Sequence, residues 1–179
     1  MMEIEKWLND VLEKKNKRAM PIITFPAATK LNISVKKLIN DTDQQVAALK
    51  IIKEECNPLA ILGFMDLSVE AECFGAEIKV TDNEVPTVVG QLIEDEDDAQ
   101  ALKVPAVGSG RSQLYIDAIK KTKAEIKDIP ILGGCIGPFS LAGRLMDVSE
   151  AMINCYEEPE MVHIVLEKAT KFLIDYISA

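Results

Sequence analysis

Apolar and polar positions change period several times along the chain. Over residues 3–15, Ile4, Leu8, Val11 and Leu12 fall on one side of a helix, with Lys and Glu on the other. A basic turn follows, Lys14-Lys15-Asn16-Lys17-Arg18. Pro21-Ile22-Ile23-Thr24-Phe25 then predicts a first buried strand, ended by Pro26, whose missing N–H interrupts a ladder. Thr42-Asp43-Gln44-Gln45 has capping-box spacing, and Val46, Leu49, Lys50 and Lys53 carry a helix to Glu55, with Asn57-Pro58 ending it. Leu59-Ala60-Ile61-Leu62-Gly63-Phe64 predicts a second strand that delivers Met65-Asp66-Leu67-Ser68 at its carboxyl end. Residues 78–81 and 87–89 predict two exposed strands around a turn at Asn83, and Glu94-Asp95-Glu96-Asp97-Asp98 a solvated acidic turn or helix start. Tyr115, Ala118, Ile119, Thr122 and Ile126 recur at helical spacing over 112–127, leading into a third buried strand at 129–134. Pro138, Ser149 and Pro159 open further helices, the last with a stripe of Val162, Val165, Leu166, Ala169, Leu173 and Tyr176.

This alternation predicts an α/β fold with a parallel sheet. Three strand-plus-helix units have the rhythm of a (β/α)8 TIM barrel but are too few to close one, which takes eight strands. The expectation is therefore a single partial-barrel domain over 1–179, about three βα units with an N-terminal helix and a β excursion. No internal repeat is visible.

Composition narrows the function classes. With 179 residues, 48% apolar and 27% charged, the chain is long enough and apolar enough to fold as one domain. A net charge of −9 disfavours a nucleic-acid footprint, which needs a basic stripe. No apolar run approaches the roughly 20 residues of a membrane span, and the amphipathic, acidic N-terminus is unlike a signal peptide, so a cytoplasmic protein is expected. Cys56, Cys73, Cys135 and Cys155 form no CxxC pair and read as reduced thiols.

Ligands of parallel α/β folds gather at the carboxyl ends of strands. Asp66 stands there, straight after an apolar run, where a partly desolvated carboxylate can bind a cationic nitrogen or act as acid or base. The alternative is an N-cap for a helix through Glu70 to Phe74. Glu70 lies four residues on, so on one helix the two carboxylates share a face and one pKa could rise; an exposed, solvated face is the ordinary fate of such a residue. Gly133-Gly134-Cys135-Ile136-Gly137-Pro138 offers bare backbone N–H groups ahead of a helix, resembling a phosphate loop but lacking its Lys-Ser/Thr ending. Glycines that let the loop pass close to a substrate or a strand explain it equally. Arg111 follows Gly108-Ser109-Gly110 and could clamp an anionic substrate from a mobile loop, or be a plain surface arginine, as could Arg144. His163 is the only histidine and has no His or Cys at i+3 or i+4, so neither a metal site nor a Ser-His-Asp or Cys-His nucleophile is expected from this chain.

Two segments carry a family resemblance. Gly63-Phe64-Met65-Asp66-Leu67-Ser68-Val69-Glu70-Ala71-Glu72-Cys73-Phe74-Gly75-Ala76-Glu77-Ile78 with Glu84-Val85-Pro86-Thr87-Val88 is one. The other is Gly110-Arg111, Ala118-Ile119 and Asp128-Ile129-Pro130-Ile131-Leu132-Gly133-Gly134-Cys135-Ile136-Gly137-Pro138-Phe139-Ser140-Leu141-Ala142. Together they resemble the uroporphyrinogen decarboxylase superfamily, and more closely its cobamide-dependent branch, the methylcobalamin:coenzyme M methyltransferases. The resemblance implies a (β/α)8 barrel of about twice this length, of which this chain is the N-terminal half: a truncated product, a split subunit or an excised piece. It implies that Asp66 occupies the position of the decarboxylase aspartate that gathers pyrrole N–H groups. The decarboxylase's arginine-rich N-terminal loop reads Phe25-Pro26-Ala27-Ala28-Thr29-Lys30 here, which favours the methyltransferase branch. That branch implies a cobamide (methylcobalamin) as substrate, free or on a corrinoid protein, and a zinc whose His-x-Cys and distant Cys ligands lie in the other half and are absent here. On this reading Asp66 is catalytic, and Glu70, Arg111, Gly134, Cys135, Gly137 and Pro138 touch substrate or cofactor. A decarboxylase-like lyase, a non-catalytic corrinoid- or porphyrinoid-binding module and an oligomeric remnant are the alternatives. Exposed strand edges and apolar helix faces predict self-association or pairing with a complementary C-terminal half.

Overall fold

The structure, a computed structural model, describes residues 4–179. Its elements are α1 (Ile4–Glu13), α2 (Ala27–Leu31), α3 (Val35–Ile39), α4 (Thr42–Cys56), β1 (Ile61–Leu62), α5 (Val69–Phe74), β2 (Glu77–Lys79), β3 (Thr87–Val89), α6 (Glu96–Ala101), α7 (Ser112–Glu125), β4 (Ile131–Leu132), α8 (Pro138–Met146), α9 (Val148–Glu157) and α10 (Pro159–Ser178). β1 and β4 pair in parallel, Ile61 against Ile131 and Leu62 against Leu132. β2 and β3 form a separate antiparallel hairpin, Ile78 opposite Val88. Parallel strands joined by a long helical crossover, with the hairpin set aside from the main sheet, match the α/β reading.

The predicted first strand does not form. Residues 21–24 lie outside any ladder and Phe25 begins the turn into α2; one backbone bond, Leu59 N–H to Ala19 C=O at 2.8 Å, ties the preceding residues to the approach of β1. Pro21 has no N–H to give, and Ile22 and Ile23 are exposed, so the run is not buried. The N-terminal helix forms, although its predicted start at residue 3 lies outside the described residues. Its apolar stripe is not buried: Ile4, Leu8 and Leu12 face solvent. Lys17 Nζ closes its end by donating to the carbonyls of Val11 and Leu12 at 2.7 and 2.9 Å.

Two apolar clusters hold the rest. One packs Leu38, Leu49, Ile52, Ile61, Phe64, Val69, Tyr115 and Ile129 between α3, α4, α7 and β1. The other gathers Phe74, Ile93, Leu141, Leu145, Val165 and Phe172 between α5, α8 and α10. The Phe74 and Phe172 rings meet edge to face with centroids 5.4 Å apart. At α4 the capping differs from the predicted box by one residue. Asp41 is the cap, accepting from the N–H groups of Asp43 and Gln44 at 2.9 and 3.1 Å, while Thr42 Oγ1 donates to the Leu114 carbonyl at 3.2 Å. Asn57, at φ 42°, ends the helix in the left-handed region as its position before Pro58 predicts. The acidic run resolves likewise: Asp95 caps α6, accepting from Asp98 N–H at 2.9 Å.

Asp41→Ala is expected to lower the unfolding free energy by about 1 kcal/mol in urea titrations.

Candidate functional site

Local structure between β1 and α5 places Asp66. Gly63 permits close packing of α7 on the strand: a Cβ there would stand 2.5 Å from Ile119 Cδ1. Three residues later the chain turns, and Asp66 Oδ1 accepts from Ser68 N–H at 3.0 Å and from Ser68 Oγ–H at 2.6 Å. Asp66 therefore organises the entry to α5 without being its cap, because Ser68 precedes the helix and contributes no side-chain cap bond. The other oxygen, Oδ2, accepts from Arg111 Nη1 at 2.5 Å and from Tyr115 Oη–H at 2.8 Å.

The carboxylate is closed in, its side chain having no exposed surface. An Asp facing an open cleft, as its place after a strand suggests, is not what the fold builds. Four hydrogen bonds saturate both oxygens, and one donor carries a full charge.

Arg111 is the counterpart. Gly108 and Gly110, at φ 95° and 52°, take left-handed conformations that turn the chain into α7. Ser112 Oγ stitches this turn, accepting from Gly108 N–H at 3.0 Å and donating to the Ser109 carbonyl at 2.6 Å. Arg111 leaves the turn buried, with Nη2 donating to Ser68 Oγ at 2.8 Å and Nε to Glu72 Oε2 at 2.7 Å. Burial alone would lower its pKa; Asp66, by charge and by hydrogen bond, outweighs this and raises it. The expected anion clamp on a mobile loop is thus corrected: the guanidinium is occupied by the chain's own carboxylates. Tyr115 is held in its neutral form, its pKa pushed up by burial and by Asp66. Tyr115 read only as a core position in the sequence, although its place four residues after Arg111 sets both side chains on one face of α7.

Glu70 departs from a solvated helix face. It is 4% exposed, with Oε1 accepting from Ile136 N–H at 3.1 Å and Oε2 without a partner among the described residues. Burial raises its pKa, the bond from Ile136 opposes this, and Asp66 adds to the rise. The two carboxylates do not share a helix, since α5 begins after Asp66, but they do share a small chamber of about 10 Å³ with Gly134, Cys135 and Tyr176. Because Ile136 N–H is committed to Glu70 and Pro138 has none, the loop after β4 does not present the row of free N–H groups of a phosphate cradle.

Gly134 and Cys135 also wall a larger cavity of about 440 Å³, lined by apolar residues of α7, with Lys120 and Lys123 and the last turn of α10. Gly137 and Pro138 start α8 and face solvent outside both cavities. The Cys135 thiol is pushed up first by burial and then by Glu70, so it is a neutral thiol wall. Cys73 is likewise raised by burial and donates to the Ser109 carbonyl at 3.1 Å. His163 and Arg144 lie apart from both cavities' walls around Asp66. Among the described residues no three His, Cys, Asp or Glu side chains converge as a metal site, and no helix is long and apolar enough to cross a membrane. A zinc held as the resemblance implies does not fit the donors present.

Breaking the pair is expected to be costly. Arg111→Ala strands a buried carboxylate and should destabilise the fold by about 3–5 kcal/mol, with Asp66→Asn in the same chain recovering part of that loss in a double-mutant cycle read by urea unfolding.

Known proteins are similar to this chain in sequence and in fold. Methylcobamide:CoM methyltransferase MtbA of Methanosarcina acetivorans is 33% identical over 117 residues, covering 64% of this chain and 34% of that protein. The uroporphyrinogen decarboxylase of a Hydrogenobaculum strain is 26% identical over 124 residues, covering 66% and 34%. A solved methyltransferase structure from Methanosarcina mazei superposes with a TM-score of 0.80 at 22% identity, covering 98% of this chain and 55% of that one. The matched stretch thus spans about a third of the curated relatives' length, and the fold is that of a partial (β/α)8 barrel. The uroporphyrinogen decarboxylase (URO-D) family profile matches residues 16–179, and the chain belongs to that family.

Proposed function

We propose that this chain is the Asp66-bearing part of a cobamide-dependent methyltransferase, serving methyl transfer between a methylcobamide and a thiol or related acceptor. The observation that carries the choice of branch is the occupation of Arg111 by Asp66 and Glu72. With that guanidinium held by the chain's own carboxylates, and with no arginine over residues 25–30, the cavity wall offers Lys120 and Lys123 but no arginine fork for a polycarboxylate, and the net charge of −9 opposes one. A substrate whose periphery is neutral suits such a wall better. The relatives named for methylcobamide chemistry support the same side.

In this reading Asp66 is the catalytic carboxylate, and its held geometry supplies a fixed negative potential beside the cavity. Gly134 and Cys135 form the wall that meets the ligand, Glu70 backs that wall through the bond it accepts from Ile136 N–H, Gly137 and Pro138 lie beyond it at the start of α8, and Arg111 acts as a positioning residue through Asp66. The methyl donor is a free cobamide or a corrinoid protein. The cavity of about 440 Å³ can take part of such a ligand, and the remaining walls come from a complementary half or a second copy. The exposed stripe of α1, with Ile174 and Ile177 of α10, gives these partners apolar surface to cover.

Mixing the chain with methylcobalamin and a thiol, with and without zinc, tests this. Demethylation above the protein-free rate is expected, slowed about 100-fold or more by Asp66→Asn. A spectral shift without turnover assigns a binding module instead, and no shift an oligomeric remnant. Light scattering at micromolar concentration is expected to show association; a monodisperse monomer contradicts the open-barrel part of the proposal.

A further inference from the structure

Glu70 is buried, yet only half of its hydrogen-bonding capacity is used. Oε1 takes the Ile136 N–H, while Oε2 is fully buried without a partner among the described residues. Such an atom carries a desolvation cost that native structures normally offset with a partner or an ordered water. Beside it lies the chamber of about 10 Å³ walled by Met65, Asp66, Cys135 and Tyr176, about the space that one water requires. The chamber is not wholly apolar: Cys135 carries a thiol and Tyr176 a phenol, both able to hydrogen-bond.

We propose that this chamber is a binding site for one water molecule, held by Oε2 of Glu70, and that side chain and water together fix the Gly134–Cys135 wall of the larger cavity. Burial, and then Asp66, raise the Glu70 pKa and so shift it toward its neutral form. Asp66 before α5 and Cys73 on α5 itself surround it, with Cys135 on the loop after β4 and Tyr176 on α10. Arg111 and Tyr115 of α7 bond to Asp66, and Arg111 also to Glu72, so no cation is left over for Glu70. A neutral carboxyl has a hydroxyl that needs an acceptor, and a water supplies it while donating onward to the chamber walls. The proposal stands on the chamber alone and does not depend on the methyl-transfer reading.

The sign of its pH dependence follows from burial. A carboxyl whose pKa is raised in the folded state binds more protons folded than unfolded, so its stabilisation is complete below the unfolded carboxyl pKa and is lost as pH rises through the folded one.

A crystal structure of the whole chain, with infrared spectra across pH, tests the site. One ordered water within hydrogen-bond reach of Glu70 Oε2 is expected. So is a protonated-carboxyl C=O band that is absent from Glu70→Gln and that persists in the wild type to higher pH than that of an exposed glutamate. Glu70→Gln keeps an acceptor for Ile136 and a donor for the water, and is expected to remove the loss of stability with rising pH. An empty chamber, or a Glu70 carboxyl that ionises no later than an exposed one as pH rises, overturns the proposal. Should the variant fail to fold, the wild-type crystal and pH titration decide the matter unaided.

Discussion

The pairing of Asp66 with Arg111 is the constraint on which the rest of this fold turns. It joins two parts of the chain that are distant in sequence: the turn after β1 with the start of α5, through Asp66, Ser68 and Glu72, and the N-terminus of α7. Two buried charges are worth keeping only if every lone pair and proton is satisfied, and here the Ser68 and Tyr115 hydroxyls complete the set. The consequence is a carboxylate of fixed position and an arginine held by the chain's own Asp66, Ser68 and Glu72.

Glu70 stands beside this pair in the opposite electrostatic situation. Asp66 has a cation and Glu70 has none among the described residues, and burial, with Asp66 nearby, raises the Glu70 pKa. The bond from Glu70 to Ile136 then links α5 to the loop after β4, which walls the larger cavity. In this way the carboxyl ends of the two parallel strands are coupled through side chains as well as through their short ladder.

Much of this was legible in the sequence because it follows from local rules. The 3.6-residue stripes of α4, α7 and α10, the hairpin around Asn83 and the Pro138 helix start all appear within a residue or two of expectation. The strand at residues 21–25 was not, because an apolar run only becomes a strand when a neighbour accepts its ladder, and here Pro21 has no N–H, Ile22 and Ile23 are exposed, and the Thr24 and Phe25 carbonyls accept from the turn into α2. Asp66 was visible from its place after a strand, but its enclosure was not. Arg111 lies 45 residues away, and nothing local announces that a glycine-flanked arginine folds inward. Glu70 was misjudged for the same reason, since its burial depends on the loop after β4.

The enclosure of Asp66 by Arg111 is read most directly from the arginine Nε–H resonances. The chain has three arginines, Arg18, Arg111 and Arg144. The account predicts that Arg111 Nε–H, which donates to Glu72 from the guanidinium that Asp66 holds through Nη1, exchanges with solvent far more slowly than that of Arg144, and that Asp66→Asn, by removing the charge that anchors this guanidinium, weakens the protection. Equal, fast exchange at all three would show an open arginine and contradict the closed pair from which the site has been derived.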